Sequence, residues 1–120
     1  MRFGHVTVFV KNLEESLRFY HELVGLPVKR RFSPRPGTEI AFLGNGETEI
    51  ELIDNHAQGD VFMGQGISLG FEVTSLQETL DFLRQKGIAA GEVSQPNPQV
   101  KFFFVSDPNG LKIQFVEYFC

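Results

Sequence analysis

Apolar and polar residues alternate in two stretches of the chain, and each stretch is followed by a helical pattern. The alternating apolar positions are Val6, Val8, Val10 in the first stretch and Leu69, Phe71, Val73 in the second. An alternation of period two predicts a β-strand with one covered face. The helical patterns repeat at i, i+4 and i+7: Leu13, Leu17, Tyr20 and Leu76, Leu80, Leu83. Both stretches therefore predict a strand followed by an amphipathic helix.

Both predicted helices carry the same start and stop signals. Each begins with an N-cap residue followed three positions later by glutamate: Asn12 with Glu15, and Ser75 with Glu78. This spacing is typical of a capping box, in which the N-cap side chain accepts a backbone hydrogen bond. Each pattern stops at a glycine suited to a left-handed cap, Gly25 or Gly87. The two helices are therefore predicted to be equivalent elements of a repeated unit.

Three strand-like runs separated by turn residues follow each helix. They are about PVKRRFS, IAFLG and TEIELID in the first half, and IAAGEVS, VKFFFVS and LKIQFVEYF in the second. The halves thus repeat a β-α-β-β-β unit at a shift of 63 positions. The pattern predicts one α+β domain over residues 1–120, with repeat one about 1–56, a linker about 57–65 and repeat two about 66–120. Eight strands would form a curved sheet, or cup, with the helices on its convex side.

The strand alternation also predicts which side chains line the hollow of this cup. If the smooth apolar rows lie under the helices, the residues between them point inward. Four inward positions form two pairs, each 63 positions apart: His5 with Ser68, and Glu51 with Gln114. Further residues predicted for a substrate pocket are Thr7, Phe9, Glu72 and Phe103. For Phe103, core packing and a dimer contact are the alternatives, because three successive phenylalanines must place rings on both faces.

Several of these residues also have plainer structural interpretations. His5 could be an ordinary hydrogen-bonded strand histidine, and Glu51 could be one of several solvated acids on an edge strand. The pairing by repeat favours a place for both in the hollow. The basic run of Lys29, Arg30, Arg31 and Arg35 fits a solvated strand edge better than an anion clamp.

The amino-acid composition argues against some classes of binding partner. The formal net charge of −4 argues against nucleic acid, which needs a basic face. No apolar stretch approaches the about 20 residues of a membrane helix, and the N-terminal segment resembles a strand rather than a signal peptide. The single cysteine, Cys120, allows no intrachain disulfide and is predicted to be an inert thiol in a reducing compartment. We therefore expect a cytoplasmic protein with a small-molecule ligand and no membrane partner.

Four segments carry a family likeness: RFGHVTVFVKNLEESLRFYHELVGLPV, ETEIEL, GFEVTSLQETLDFL and DPNGLKIQFVE. Together they resemble the vicinal oxygen chelate superfamily, which includes glyoxalase I, dioxygenases and bleomycin-binding proteins. The resemblance spans the chain and implies the cup fold, usually in a homodimer. In glyoxalase I-like members it implies one divalent metal held by His or Gln, Glu, His and Glu. Matched motif by motif, these ligands fall on His5, Glu51, Ser68 and Gln114.

This match describes a depleted metal site. His5 and Glu51 keep the ligand types, Gln114 offers a neutral amide oxygen, and Ser68 stands where a histidine ligand is lost. Zn²⁺ and Ni²⁺ typically take about four N, O or S ligands, with charge to offset their own. We therefore assign no firm cofactor. A divalent metal such as Zn, Ni, Mn or Fe would bind only weakly, through His5, Glu51 and Gln114.

Three functions fit this interpretation. The first, which we favour, is a bleomycin-resistance-like protein that binds a cationic or amphipathic small molecule in the cup without a metal. The second is a metal-dependent lyase or isomerase of the glyoxalase I (lactoylglutathione lyase) type. In that case Glu51 would be the base, and His5 a metal ligand or an electrophilic donor. The third is a non-catalytic interaction domain with a vestigial cup.

Overall fold

Both halves of the chain fold as the repeat predicts. The computed structural model describes residues 1–119, so Cys120 and its predicted inert thiol lie outside the described residues. The chain divides into two compact units, Met1–Phe62 and a second that begins at Met63. Each unit contains one four-stranded sheet, and each follows the β-α-β-β-β order. The α+β fold of two tandem repeats is therefore confirmed.

The first unit has its parallel strand pair at one edge of the sheet. Its elements are β1 His5–Phe9, α1 Leu13–Leu17, a π-helix Arg18–Leu23, β2 Val28–Arg35, β3 Thr38–Leu43 and β4 Glu49–Asn55. The strand order is β1-β4-β3-β2, with β1 parallel to β4 and the other pairs antiparallel. The predicted first helix thus changes from α to π winding after Leu17, and the adjacent rings of Phe19 and Tyr20 are both buried.

The second unit has the same topology. Its elements are β5 Ser68–Glu72, α2 Leu76–Gln85, β6 Ser94–Asn97, β7 Val100–Ser106 and β8 Lys112–Tyr118. The strand order is β5-β8-β7-β6, again with one parallel pair, β5 and β8. Within residues 1–119, no helix is long and apolar enough to span a membrane.

The predicted helix signals are confirmed in both units. The Asn12 side chain accepts a hydrogen bond from the backbone N–H of Glu15 at 2.9 Å. Ser75 accepts the equivalent bond from Glu78 at 3.2 Å. The two terminating glycines both have positive φ, 94° for Gly25 and 78° for Gly87.

A second cap, which the sequence did not suggest, joins each helix to the last strand of its unit. The Leu13 N–H donates to Asp54 Oδ2 at 2.9 Å, and the Leu76 N–H donates to Glu117 Oε1 at 2.7 Å. Asp54 and Glu117 are also 63 positions apart. A carboxylate here satisfies a free N–H of the first helical turn and interacts favourably with the helix dipole.

The core of each unit lies between its helix and one face of its sheet. In the first unit, the buried residues come from the apolar rows predicted to lie between helix and sheet: Val8, Val10, Leu13, Leu17, Tyr20, Ile50 and Leu52. In the second unit, the buried rows are Leu76, Leu80, Leu83, Phe103, Val105, Ile113 and Phe115. Burial of this kind supplies the main favourable term in folding. It also leaves the opposite face of each sheet for other groups.

One strand differs from the prediction. The run IAAGEVS is not a strand up to residue 93; β6 begins at Ser94 and continues through Pro96 to Asn97. Alanine and glycine are poor strand formers, so the run has little intrinsic preference for extended pairing. Proline is tolerated in β6 because this strand lies at the sheet edge and bonds only to β7.

Candidate functional site

The face of the first sheet opposite α1 brings several predicted residues together. The strand register places four residues in one row across it, in the order Thr7, Glu51, Phe42 and Arg30. A neighbouring row holds Phe9, Ile53, Ile40 and Phe32. Directly opposite residues in adjacent strands have Cβ atoms about 5 Å apart, so their side chains interact. The predicted residues Thr7, Phe9 and Glu51 therefore share one face.

Two side chains of β1 hold Glu51. The Thr7 hydroxyl donates a hydrogen bond to Glu51 Oε1 at 2.7 Å, and His5 Nε2 lies 3.5 Å from the same oxygen. The side chain of Glu51 is 14% exposed, whereas that of His5 is 49% exposed. Within residues 1–119, no hydrogen bond or ion pair reaches the second oxygen, Oε2. The carboxylate is thus oriented by the protein and keeps one acceptor oxygen for a ligand.

Phe42 lies beside this group and is surrounded by polar and aromatic neighbours. Its ring meets the His5 imidazole edge-on at 5.7 Å between centroids, and it is stacked with Phe32 at 6.4 Å. Arg30 Cζ lies 3.9 Å from the Phe42 ring centroid, a cation–π contact. The face therefore combines a carboxylate, an imidazole, a guanidinium and aromatic rings.

Two other members of the basic run are engaged in ion pairs. Lys29 donates a hydrogen bond to Glu49 Oε2 at 2.7 Å, and this bond holds the pKa of Glu49 below its ordinary value. Arg31 pairs with Glu14 and Glu39. The hydrogen bond to Glu14 is the main reason that the pKa of Arg31 lies above its ordinary value. These pairs support the strand-edge interpretation of the run.

The second sheet carries the repeat-related residues on its own corresponding face. Ser68 and Glu72 are exposed, and Gln114 is half-buried. Gln114 lies beside Gly70 in the register, and its Oε1 is 3.3 Å from where a Cβ on Gly70 would stand. Within the described residues, neither Ser68 nor Glu72 forms a hydrogen bond through its side chain. The predicted site residues thus form two groups, one on each sheet.

Phe103 lies on the other face of β7, so the prediction that it lines the pocket is wrong. Its side chain is fully buried and packs against Phe115, with 5.6 Å between ring centroids, on the face under α2. Phe102 and Phe104 lie on the face of Gln114 and meet edge-on at 5.7 Å. Phe104 is the direct register partner of Gln114 and is the ring nearest to the predicted site.

Two residues that the prediction did not single out stand next to the candidate positions. Lys112 is the register partner of Ser68, and its Nζ lies 4.3 Å from the ring centroid of Phe104. The strand alternation predicts Lys112 on the same inward face as Gln114, because it precedes Gln114 by two positions, although Lys112 was not among the predicted site residues. Phe42 had no comparable signal, since its place depends on the register between β3 and β4.

The family follows from a match over nearly the whole chain. The sequence profile of the Glyoxalase/Bleomycin resistance protein/Dioxygenase superfamily matches residues 2–115. The chain belongs to this superfamily. A probable lactoylglutathione lyase of Synechocystis sp. is 33% identical over 125 residues, which cover 94% of this chain and 92% of that relative. Membership confirms the resemblance drawn from the four segments.

Solved structures show the same fold. Glyoxalase I of Leishmania major, described as trypanothione-dependent, superposes with a TM-score of 0.84 at 24% identity and covers 98% of this chain and 86% of that one. TnmS3, an antibiotic binding protein from Streptomyces sp. CB03234, superposes with a TM-score of 0.78 at 19% identity and covers 99% and 97%. At these identities the likeness extends to the fold alone.

A resident divalent metal does not fit the residues present. In the first unit, His5 and Glu51 offer donors of the implied kind, and a third, Glu49, which is the register partner of His5, is already paired with Lys29. Within residues 1–119, no group of three or more His, Cys, Asp or Glu side chains is placed to hold an ion. Ser68 has the ammonium-bearing Lys112 as its direct neighbour, which adds positive charge where a cation would need negative charge.

Proposed function

We propose that the protein binds a small organic molecule on the face of the first sheet opposite α1, with Glu51 as the anchoring anion. The supporting observation is that one carboxylate oxygen is engaged by Thr7 and His5 while the other has no partner in residues 1–119. A ligand ammonium or N–H group would bind Oε2. Its apolar part would pack on Phe9 and Phe32, each 42% exposed.

Metal-free bleomycin A2, a cationic antibiotic, is the first probe, followed by a thermal-shift panel of other cationic antibiotics. Glu51→Gln should weaken binding of any hit about tenfold or more in calorimetry, because a charge-assisted hydrogen bond is lost. Glu47→Gln removes the same charge from an exposed position in the first unit and should leave affinity unchanged. A panel without one stabilising compound, or equal affinity for the Glu51→Gln variant, contradicts the proposal.

Thr7 offers a second test of the same anchor. Thr7→Val keeps the shape of the side chain and removes the donor to Glu51, so affinity should fall roughly threefold to tenfold. Thr7→Ser keeps the hydroxyl and should restore most of the affinity. If the valine and serine variants bind the probe equally, the hydroxyl does not orient the carboxylate.

A second candidate is lyase chemistry, which the similarity to the probable lactoylglutathione lyase of Synechocystis sp. favours. The Glu51 carboxylate would remove a proton from a carbon next to a carbonyl, and His5, 3.5 Å away, would donate to the developing oxyanion. Turnover of the methylglyoxal–glutathione adduct, measured with and without added Ni²⁺ or Zn²⁺, tests this. No turnover under either condition excludes glyoxalase I activity.

Assembly and location are part of the same proposal. A homodimer is expected from the family resemblance, and sedimentation equilibrium measures it directly. A cytoplasmic location is expected from the composition and the lone cysteine.

A further inference from the structure

The second unit contains a cleft of about 710 Å³ that the proposed function does not use. Three segments form its walls: residues 63–67 before β5, residues 89–91 after α2, and the chain around the turn from β7 to β8. Small-molecule sites commonly enclose about 300–1,000 Å³, so the cleft is large enough for one organic ligand.

A difference between the repeats creates this space. In the first unit, β2 is eight residues long and Arg30 lies over Phe42. In the second unit, β6 has only four residues, and residues 89–91 (Ala-Ala-Gly) run beside β7 instead. The Gly91 N–H donates to the Phe104 carbonyl at 2.9 Å, which holds this small-residue segment in place. Residues 89–91 therefore offer no long side chain to cover Phe104, whereas Arg30 covers Phe42 in the first unit.

Lys112 is the one charged side chain among the described residues that line the cleft. Its Nζ lies 4.3 Å from the Phe104 ring centroid, and it makes no ion pair within residues 1–119. The register sets Ser68 on one side of Lys112 and Ser106 on the other. A smaller cavity of about 150 Å³ shares Lys112 and Phe104 with the cleft and adds Ser68. An ammonium flanked by hydroxyls is a suitable donor set for an anion.

The chain that leads into Lys112 is held firmly by a buried carboxylate. Asp107 is 5% exposed, and its Oδ1 accepts hydrogen bonds from the N–H groups of Asn109 and Leu111, both at 2.8 Å. The Asp107 N–H in turn donates to the Leu111 carbonyl at 2.8 Å. The backbone that leads into Lys112 is thus held in place before a ligand arrives, which lowers the entropic cost of binding.

We propose that this cleft is a second binding site, for a small organic anion with a flat apolar body and one carboxylate. The carboxylate binds the Lys112 ammonium and a neighbouring serine hydroxyl, and the apolar body packs on Phe104, Ile67 and Ala89. One charge is specified because the lining offers one cation, so a second anionic group would have no cation to pair with. All residues that line the cleft belong to the second unit.

Titration of the full chain with 2-naphthoate, followed by ¹H–¹⁵N NMR, tests this proposal. Four glycines line or bound the cleft, and their amide signals report on it: Gly64, Gly66, Gly91 and Gly110. We expect 2-naphthoate to shift these signals and 2-naphthamide, the neutral analogue, to bind about tenfold more weakly. Similar affinity for the two compounds overturns the proposal.

Variants separate this site from the proposed function. Lys112→Gln should weaken 2-naphthoate binding about tenfold, Lys112→Arg should restore it, and Glu51→Gln should leave it unchanged. Ala89→Phe keeps the charge but fills the cleft, so it should also weaken 2-naphthoate binding, by about tenfold or more. Unchanged binding in Lys112→Gln, or loss of 2-naphthoate binding in Glu51→Gln, contradicts a separate anion site.

Discussion

Replacing Asp54 by alanine removes the carboxylate that joins the first helix to its sheet. Asp54 is 5% exposed and accepts the Leu13 N–H at 2.9 Å, while its other oxygen lies 3.5 Å from the exposed His56. In Asp54→Ala the first N–H of α1 loses its partner in a buried place. An unsatisfied buried donor costs about 1–3 kcal/mol, and loss of an N-cap costs about 0.5–2 kcal/mol. We therefore expect a loss of about 1–3 kcal/mol in the free energy of unfolding.

Urea denaturation followed by far-ultraviolet circular dichroism measures this loss as a lower midpoint with an unchanged slope. Asp54→Asn keeps an acceptor oxygen and should lose less than about 1 kcal/mol. His56→Ala removes the exposed contact alone and should change stability by less than about 0.5 kcal/mol. If Asp54→Ala is as stable as the wild type, or Asp54→Asn is as unstable as Asp54→Ala, the cap does not contribute as argued.

Further predictions concern the core and the surface charges. Phe103→Ala should lower the free energy of unfolding, measured by urea denaturation, by about 3–5 kcal/mol, because Phe103 is fully buried. Phe104→Ala should lower it by less than half of that amount. Equal losses in the two variants would refute the assignment of the two rings to opposite faces. Lys29→Gln should raise the pKa of Glu49 toward its ordinary value in a ¹³C NMR titration, since the Lys29 hydrogen bond lowers it. The stability from this pair is present above the ordinary glutamate pKa and is lost as pH falls through the lowered pKa in the folded state. An unchanged titration of Glu49 would show that Lys29 does not act on it.

Local signals were sufficient for most of the fold. Asn12 and Ser75 cap the helices because their side chains bond to backbone N–H groups only three residues away. The alternation that buries Val8 and Ile50 is likewise a property of single strands. Such short-range features can be predicted from a sequence, because they do not depend on which segments pair.

Contacts between strands could not be predicted from the sequence in this way. The bond from Thr7 to Glu51 depends on the parallel register of β1 and β4, and the burial of Phe103 depends on its pairing with Phe115. In the triplet at residues 102–104, alternation requires two rings on one face and one on the other, but only the register with β8 decides which. The shortened β6 was missed because its edge position tolerates Pro96, a residue that normally indicates a break.

In the proposed function, Glu51 and His5 bind an organic ligand and do not hold a resident metal. Elemental analysis of protein purified without chelator, followed by Ni²⁺ and Zn²⁺ titration calorimetry, tests it most directly. We predict far less than one equivalent of Ni, Zn, Mn or Fe per chain and only weak, non-saturating heats. One tightly bound equivalent that disappears in both His5→Ala and Glu51→Ala variants would instead show a resident metal at these two residues.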